Sequence, residues 1–405
     1  MDKLTDAQME ADKEKTELVL ATMRSPADTL KMENEIQDAA SAFNQSNEHY
    51  HVTVVDYLQE GNEGRKNGLQ KLNTEITSGT YPDMICFSQI SLSPFLAKGL
   101  LLDMDTCISK DETMTPEDLV AVKALRSLGG LYLLGSNITA DTLIAQYARF
   151  GDRYGWSFQE YLDIENAEGS DVWVIYNITH ELLLKEVAKR YVRTAIDWET
   201  GECSFNNEDF IELLNACARI QEKPETAGNE LIGLGASFVA EGKLITAVVM
   251  TDQVNTLALN EALAGEKLSY IGWPTVDGSC GTDVRFQHPV GIVSKGKHIE
   301  GCWEFIKYLL KERRVNYGIP VYMPRLKELM KEAESSDEKY TQMTNEQAER
   351  FLDLLDHIED VAIYDETVMD IIMSESEDFF AGHRTAEETA DIIQSKVRLY
   401  LAELK

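Results

Sequence analysis

The strongest constraint on this chain is an alternation of two hydrophobic periods over residues 17–87. Glu17-Leu18-Val19-Leu20-Ala21 reads as a strand. After Pro26, a helix follows in which Ile36, Ala39, Ala40 and Phe43 keep helical spacing. His51–Tyr57 (HVTVVDY) is β-branched and extended, Leu69, Leu72 and Ile76 mark another helix stopped at Gly79, and SGTYPDMICFS at 78–88 supplies a third strand. Strand, helix, strand, helix, strand at this spacing predicts a parallel sheet with helices on its faces. The third strand loses its apolar character at Phe87-Ser88. Open α/β sheets bind ligands beyond the carboxyl ends of their strands, so this is where a site is expected.

The chain of 405 residues is too long for one ordinary core, so two domains or two lobes are expected. Thr115 as N-cap and Pro116 at the first helical position predict a helix running to Leu128 before Gly129-Gly130. Leu131–Leu134 is extended, and the chain to about residue 240 is mostly helical. Strand-rich segments follow at LITAVVM (244–250), LSYIGWPT (268–275) and VGIVS (290–294). IEGCWEFIKYLLKER carries a stripe of Cys302, Phe305, Ile306 and Leu309. Thr385 and Glu388 fit a capping box for a last helix with Ala390, Ile393, Val397 and Tyr400 on its apolar face. The polar stretch at 332–347 is the expected exposed connection.

Seventy acidic against 38 basic residues give a net charge of -32, which repels nucleic-acid phosphates and anionic lipid surfaces. No apolar run approaches the roughly 20 residues of a membrane span. The opening MDKLTDAQMEADKEKTE lacks an apolar core, which fits either a cytosolic start or a chain whose targeting segment was trimmed. The six cysteines, at 86, 107, 203, 217, 280 and 302, form no CxxC pair and read as small core or loop residues. His49 and His51 sit near a strand entry without ligand partners, so neither a metal nor a cofactor is expected.

The order of segments resembles the extracellular solute-binding proteins of family 1, the maltose-binding-protein-like sugar-binding components of bacterial ABC importers. LVLATM followed by AFNQSN and VTVVDY resembles their opening β-α-β unit, and LNTEITSGTYPDMICFSQISLSPFLAKGLLLDMD resembles their most recognisable segment. LYLLGSNITADTLIA, AIDWETGECSFNNEDFIELL, YIGWPTVDGSCGTDVRF, GCWEFIKYLL and FFAGHRTAEETADIIQSKVRLYLAE match in character and order. The resemblance implies an α/β, two-lobed periplasmic-binding-protein-like fold (type II). Each lobe would be a mixed sheet flanked by helices, the two joined by crossing hinge strands and closing over a ligand in the cleft between them. The expected division is a linker over 1–15, an N-terminal lobe over 16–133 and 289–318, and a C-terminal lobe over 134–288 and 319–405. It further implies a monomer outside the cell, tethered by lipid on an N-terminal cysteine that this chain lacks, delivering carbohydrate to a membrane permease.

Binding a sugar without reacting it needs flat apolar surfaces for the ring and fixed polar groups for its hydroxyls. Phe87 and Ser88 end the third strand, where the resemblance implies an aromatic platform, with Gln89 on the following loop. Arg24 and Ser25 follow the first strand, and Arg24 is suited to bidentate donation. Asn137, Thr139 and Asp141 lie just past the crossover strand, with helix capping as the competing role for Asp141. Asp252 follows LITAVVM, Trp273 precedes a glycine-containing loop, and Tyr364 is a second expected platform. Each has an ordinary competing role, because aromatics usually pack in cores and carboxylates usually face solvent. No GxSxG, GxxxxGK[ST] or GxGxxG motif is present, which argues against an enzyme. A secreted carbohydrate-active enzyme and a ligand-sensing module stay open as alternatives.

Overall fold

A computed structural model of the protein describes residues 15–23, 35–58, 63–168, 172–198, 200–220, 235–312, 317–337, 342–362 and 364–404. Its strands in chain order are β1 (Thr16–Thr22), β2 (Tyr50–Asp56), β3 (Met84–Cys86), β4 (Asn137–Gln146), β5 (Trp173–Ile175), β6 (Ile196–Asp197), β7 (Glu202–Cys203), β8 (Leu244–Thr251), β9 (Leu268–Tyr270), β10 (Asp283–Phe286), β11 (Val290–Ile292), β12 (Ile319–Pro320) and β13 (Asp360–Val361). The chain divides into two compact units. The first comprises Met1–Pro116, Gly129–Asn137 and Phe286–Asn316, and the second comprises Glu117–Leu128, Ile138–Arg285 and Tyr317–Lys405.

In the first unit the strand order is β11-β3-β1-β2. β1 runs parallel to β2, with Leu20 opposite Val54, and parallel to β3, with Leu20 opposite Met84. β11 returns antiparallel and sets Val290 opposite Cys86. The β-α-β-α-β reading therefore holds, and the Pro-Asp before β3 has a structural reason. Asp83 Oδ2 accepts from the Val19 amide at 2.9 Å, so the side chain completes the ladder where β3 has not yet begun. The helix Glu35–Ser46 buries Ile36, Ala39, Ala40 and Phe43, the four apolar positions read from sequence. Phe43 meets Phe305 of the helix Ile299–Lys311 edge-on, with ring centroids 5.2 Å apart.

The second unit is built on a mixed sheet, β13-β10-β4-β8-β5, with β9 and β12 also paired to β4. β4 and β8 are antiparallel, β5 and β8 parallel, and β10 and β13 parallel. Helices Phe158–Ala167, His180–Ala195, Glu208–Arg219, Glu366–Phe380 and Ala386–Leu404 pack a core around Trp156, Phe205, Phe210 and Ile393. The final helix has its capping box, since the Thr385 amide donates to Glu388 Oε2 and the Glu388 amide to Thr385 Oγ.

One expected element is corrected. The helix read over 115–128 is only a 3-10 turn at Pro116–Asp118 and a short helix at Val122–Leu125. Ala121 between them has φ +53°, a left-handed conformation that interrupts a right-handed helix. Tertiary pairing accounts for it, because the Val120 amide donates to the Val321 carbonyl and Leu119 bridges Tyr322. No helix among the described residues is long and apolar enough to cross a membrane.

Candidate ligand-binding site

Strand direction gathers the polar candidates of the second unit at one edge of its sheet. β8 ends at Thr251, and in the antiparallel register Met250 lies opposite Asp141 near the start of β4. The bond between Thr142 Oγ1 and Thr282 Oγ1 (2.8 Å) and the contact of Arg285 Nη2 with Asp141 Oδ2 (2.6 Å) show β10 running against β4. The carboxyl ends of β8, β10 and β13 therefore share one edge, the location where α/β sheets hold ligands.

Asp252 is the first residue beyond β8 and is half-buried. Its carboxylate lies close enough to the Tyr317 hydroxyl to act on its titration. Burial, followed by the nearby Asp252 charge, pushes the phenol above its ordinary range. Tyr317 Oη also lies 3.5 Å from Met250 Sδ. Met250 is 45% exposed and Val248, two residues earlier on the same strand face, is 57% exposed. A carboxylate, a phenol and an ion-paired guanidinium thus border an exposed apolar patch, which is the combination a sugar's hydroxyls and ring face require. Tyr364, shortly after β13, is 38% exposed, with Lys189 Nζ 5.5 Å from its ring centroid.

At the end of β5, Tyr176 is half-buried and packs edge-on against Trp173. Asn177 takes a left-handed φ of +50°, which asparagine tolerates better than most residues, and its Oδ1 is buried without a hydrogen-bond partner among the described residues. A buried acceptor left unpaired costs about 1–3 kcal/mol, which a donor from water or a ligand hydroxyl would recover.

Other expected positions are placed differently. Phe87 is buried and packs edge-on against Phe95 with centroids 5.3 Å apart, so its ring offers no open platform. Trp273 lies in the core of the second unit, held by the bond from its amide to the Gly281 carbonyl. A Cβ at Gly281 would fall 1.7 Å from the Trp273 carbonyl oxygen, so only glycine permits this approach. Asn137 and Thr139 are buried in β4, and Asp141 caps no helix but pairs with Arg285. Arg24 and Ser25 lie outside the described residues.

In the first unit the equivalent edge follows β3. Ser88 is exposed, and Gln89 is half-buried, its carbonyl accepting from Arg65 Nη2 at 3.2 Å. Ser88 Oγ sits 3.4 Å from His288 Nδ1, just before β11. His288, Arg285 and Tyr317 were not expected, because each is far in sequence from the strand end that it joins. Tyr176-Asn177 did carry a signal: WVIYN, like MICFS, is a short apolar run ending on an aromatic and a polar residue. Among the described residues, no group of three or more histidine, cysteine, aspartate or glutamate side chains is arranged to hold a metal.

No protein-family model matches the chain, and no curated protein matches it. Solved structures do. The sugar-binding protein MalE from the phytopathogen Xanthomonas citri is 13% identical, with a TM-score of 0.59 over 96% of this chain and 98% of the other. A periplasmic oligogalacturonide binding protein from Yersinia enterocolitica is 15% identical, with a TM-score of 0.57 over 96% and 100%. The fold is that of the solute-binding proteins. An extracellular solute-binding protein family 1 member from Alicyclobacillus acidocaldarius gives the same result, at 17% identity and a TM-score of 0.53 over 96% and 98%. Within the solute-binding fold, the α/β class expected from sequence is found: each unit has its own sheet flanked by helices.

Proposed function

We propose that this protein is an extracellular binding protein that captures a carbohydrate and delivers it unreacted to an ABC-type membrane permease. The observation that carries the reading is the carboxyl edge of the second unit. There Asp252, Tyr317 and the Asp141–Arg285 pair border the exposed Val248–Met250 surface, with Tyr364 presenting an aromatic ring at the same edge. Asp252 and Asp141 would accept from sugar hydroxyls, Arg285 would donate, and Tyr364 and the apolar patch would cover the ring's C–H face. Ser88 and Gln89 are the corresponding polar groups of the first unit. Solved proteins of the same fold bind a sugar in one case and an oligogalacturonide in another, which supports a carbohydrate over a metal or peptide ligand. Location outside the cell, lipid tethering and a monomeric state belong to the same reading.

The test is thermal unfolding of the full chain against a panel of mono- and oligosaccharides, with mass spectrometry of the recovered glycan. A bound sugar at about 100 times its Kd adds roughly 2.7 kcal/mol to stability. The expected result is stabilisation by an intact glycan. A cleaved glycan, or no stabilisation by any sugar, would refute the reading.

A further inference from the structure

Four chemically linked side chains meet beyond β3 in the first unit, and sugar binding uses only one of them. Cys86 Sγ lies 3.3 Å from Ser88 Oγ, Ser88 Oγ lies 3.4 Å from His288 Nδ1, and His288 Nε2 lies 3.4 Å from Glu35 Oε2. The Ser88 hydroxyl thus links the Cys86 thiol to the His288 ring. This is the order of an activated nucleophile: a thiol, a base reached through one bridging hydroxyl, and a carboxylate that orients the base. The backbone pays for the arrangement, because His288 holds φ +47°, an uncommon conformation for a residue other than glycine.

Electrostatics agree with the geometry. Burial pushes the Cys86 thiol up, but the nearby His288 ring, with help from Ser88, outweighs it and holds the thiol below its ordinary range. Burial pushes the His288 imidazole down, yet Cys86 and Glu35 together raise it to about 9. Cys107, Cys203, Cys217, Cys280 and Cys302 all have thiols pushed up, in each case chiefly by burial.

We propose that Cys86 is a modification site for small hydroperoxides, with His288 as its base, Glu35 as the residue that positions His288, and Ser88 as a donor to the thiolate. His288 takes the thiol proton. The thiolate sulfur then attacks one peroxide oxygen, the O–O bond breaks as the S–O bond forms, and the departing alkoxide or hydroxide takes the proton back from His288. The cysteine is oxidised by two electrons to a sulfenic acid, and the peroxide is reduced to an alcohol or water. The small reagent is dictated by access, since Cys86 is 1% exposed while the His288 and Glu35 side chains beside it are each 24% exposed.

The experiment exposes the folded, reduced full chain to hydrogen peroxide at pH 6.5, quenches in denaturant containing dimedone, and maps labelled cysteines by mass spectrometry. Accessibility alone would favour Cys107, Cys203 and Cys280, which are half-buried. The proposal predicts the reverse, with Cys86 oxidised about tenfold faster than these three. His288→Asn keeps a residue that tolerates the left-handed backbone but removes the base; it brings Cys86 down to the rate of the others while the melting temperature confirms folding. Glu35→Gln moves the pH midpoint of Cys86 oxidation upward. Oxidation of Cys86 no faster than the half-buried thiols, or unchanged in a folded His288→Asn protein, overturns the proposal, and an unmoved midpoint in Glu35→Gln removes Glu35 from it.

Discussion

Arg190 Nη2 meets Asp283 Oδ2 at 2.7 Å inside the second unit, with both side chains only 8% exposed. The pair joins the helix His180–Ala195 to β10, the strand that presents Arg285 at its carboxyl end. Arg193 of the same helix contacts Asp360 of β13. One buried and one partly buried ion pair therefore tie this helix to the strands whose ends border the candidate site.

Removing one partner leaves the other charge buried and unpaired. Asp283→Ala is expected to destabilise the second unit by about 3–5 kcal/mol, measured by urea unfolding. Arg285→Ala, at the exposed end of the same strand, is expected to cost about 1 kcal/mol or less because its pairing with Asp141 is solvated. Equal losses would show that the buried pair does not organise the strand.

Asp360 gives a pH dependence with a definite sign. Burial raises its carboxyl from the ordinary 3.8 to about 6, against the opposing charges of Arg193 and Arg190. The folded protein thus binds this proton more tightly than the unfolded chain does. The contribution is complete below pH 3.8 and is lost as pH rises through 6, amounting to about 3 kcal/mol at most. Between pH 5 and pH 7, unfolding free energy should fall more steeply in the wild type than in Asp360→Asn. Parallel curves would contradict this.

The first unit offers a packing test. Phe43 is 2% exposed and contacts both Phe305 and Tyr308 edge-on. Phe43→Ala is expected to cost about 3–5 kcal/mol, whereas Phe43→Leu, which keeps most of the volume, should cost less than half of that. Chemical denaturation monitored by circular dichroism distinguishes the two outcomes.

His288 should keep its charge well above the range of an ordinary imidazole. Its ring is raised to about 9 by Cys86 and Glu35. In an NMR titration of the folded protein its ring protons should still report imidazolium at pH 7.5, and Cys86→Ala should lower the midpoint. A wild-type midpoint near 6.5 would contradict the contact.

Local patterns were legible in both units. β-branched runs, helical spacing of Ile36, Ala39, Ala40 and Phe43, and the Thr385-Glu388 box each act within a few residues, so they are legible in one dimension. The interruption at Ala121 was not, because the pairing with Val321 that produces it lies far along the chain. The site divides in the same way. Asp252 and Ser88 follow runs legible as strands, so their positions at strand ends could be read locally. Arg285 reaches Asp141 from 144 positions away, and His288 reaches Ser88 from 200. Phe87 and Trp273 show a different limit: an aromatic at a strand end is as well suited to core packing as to a ligand, and here both rings are buried, Phe87 against Phe95 and Trp273 in the core of the second unit.

The central claim is that the carboxyl edge of the second unit binds a sugar. Isothermal titration calorimetry of the full chain with the glycan that gives the largest thermal shift tests it most directly, using wild type, Asp252→Ala and Tyr364→Ala. Loss of a buried charge-assisted hydrogen bond or of an aromatic platform should each weaken binding by at least about tenfold, while both variants melt within a few degrees of wild type. Wild-type affinity in both variants would contradict the account and place the site elsewhere.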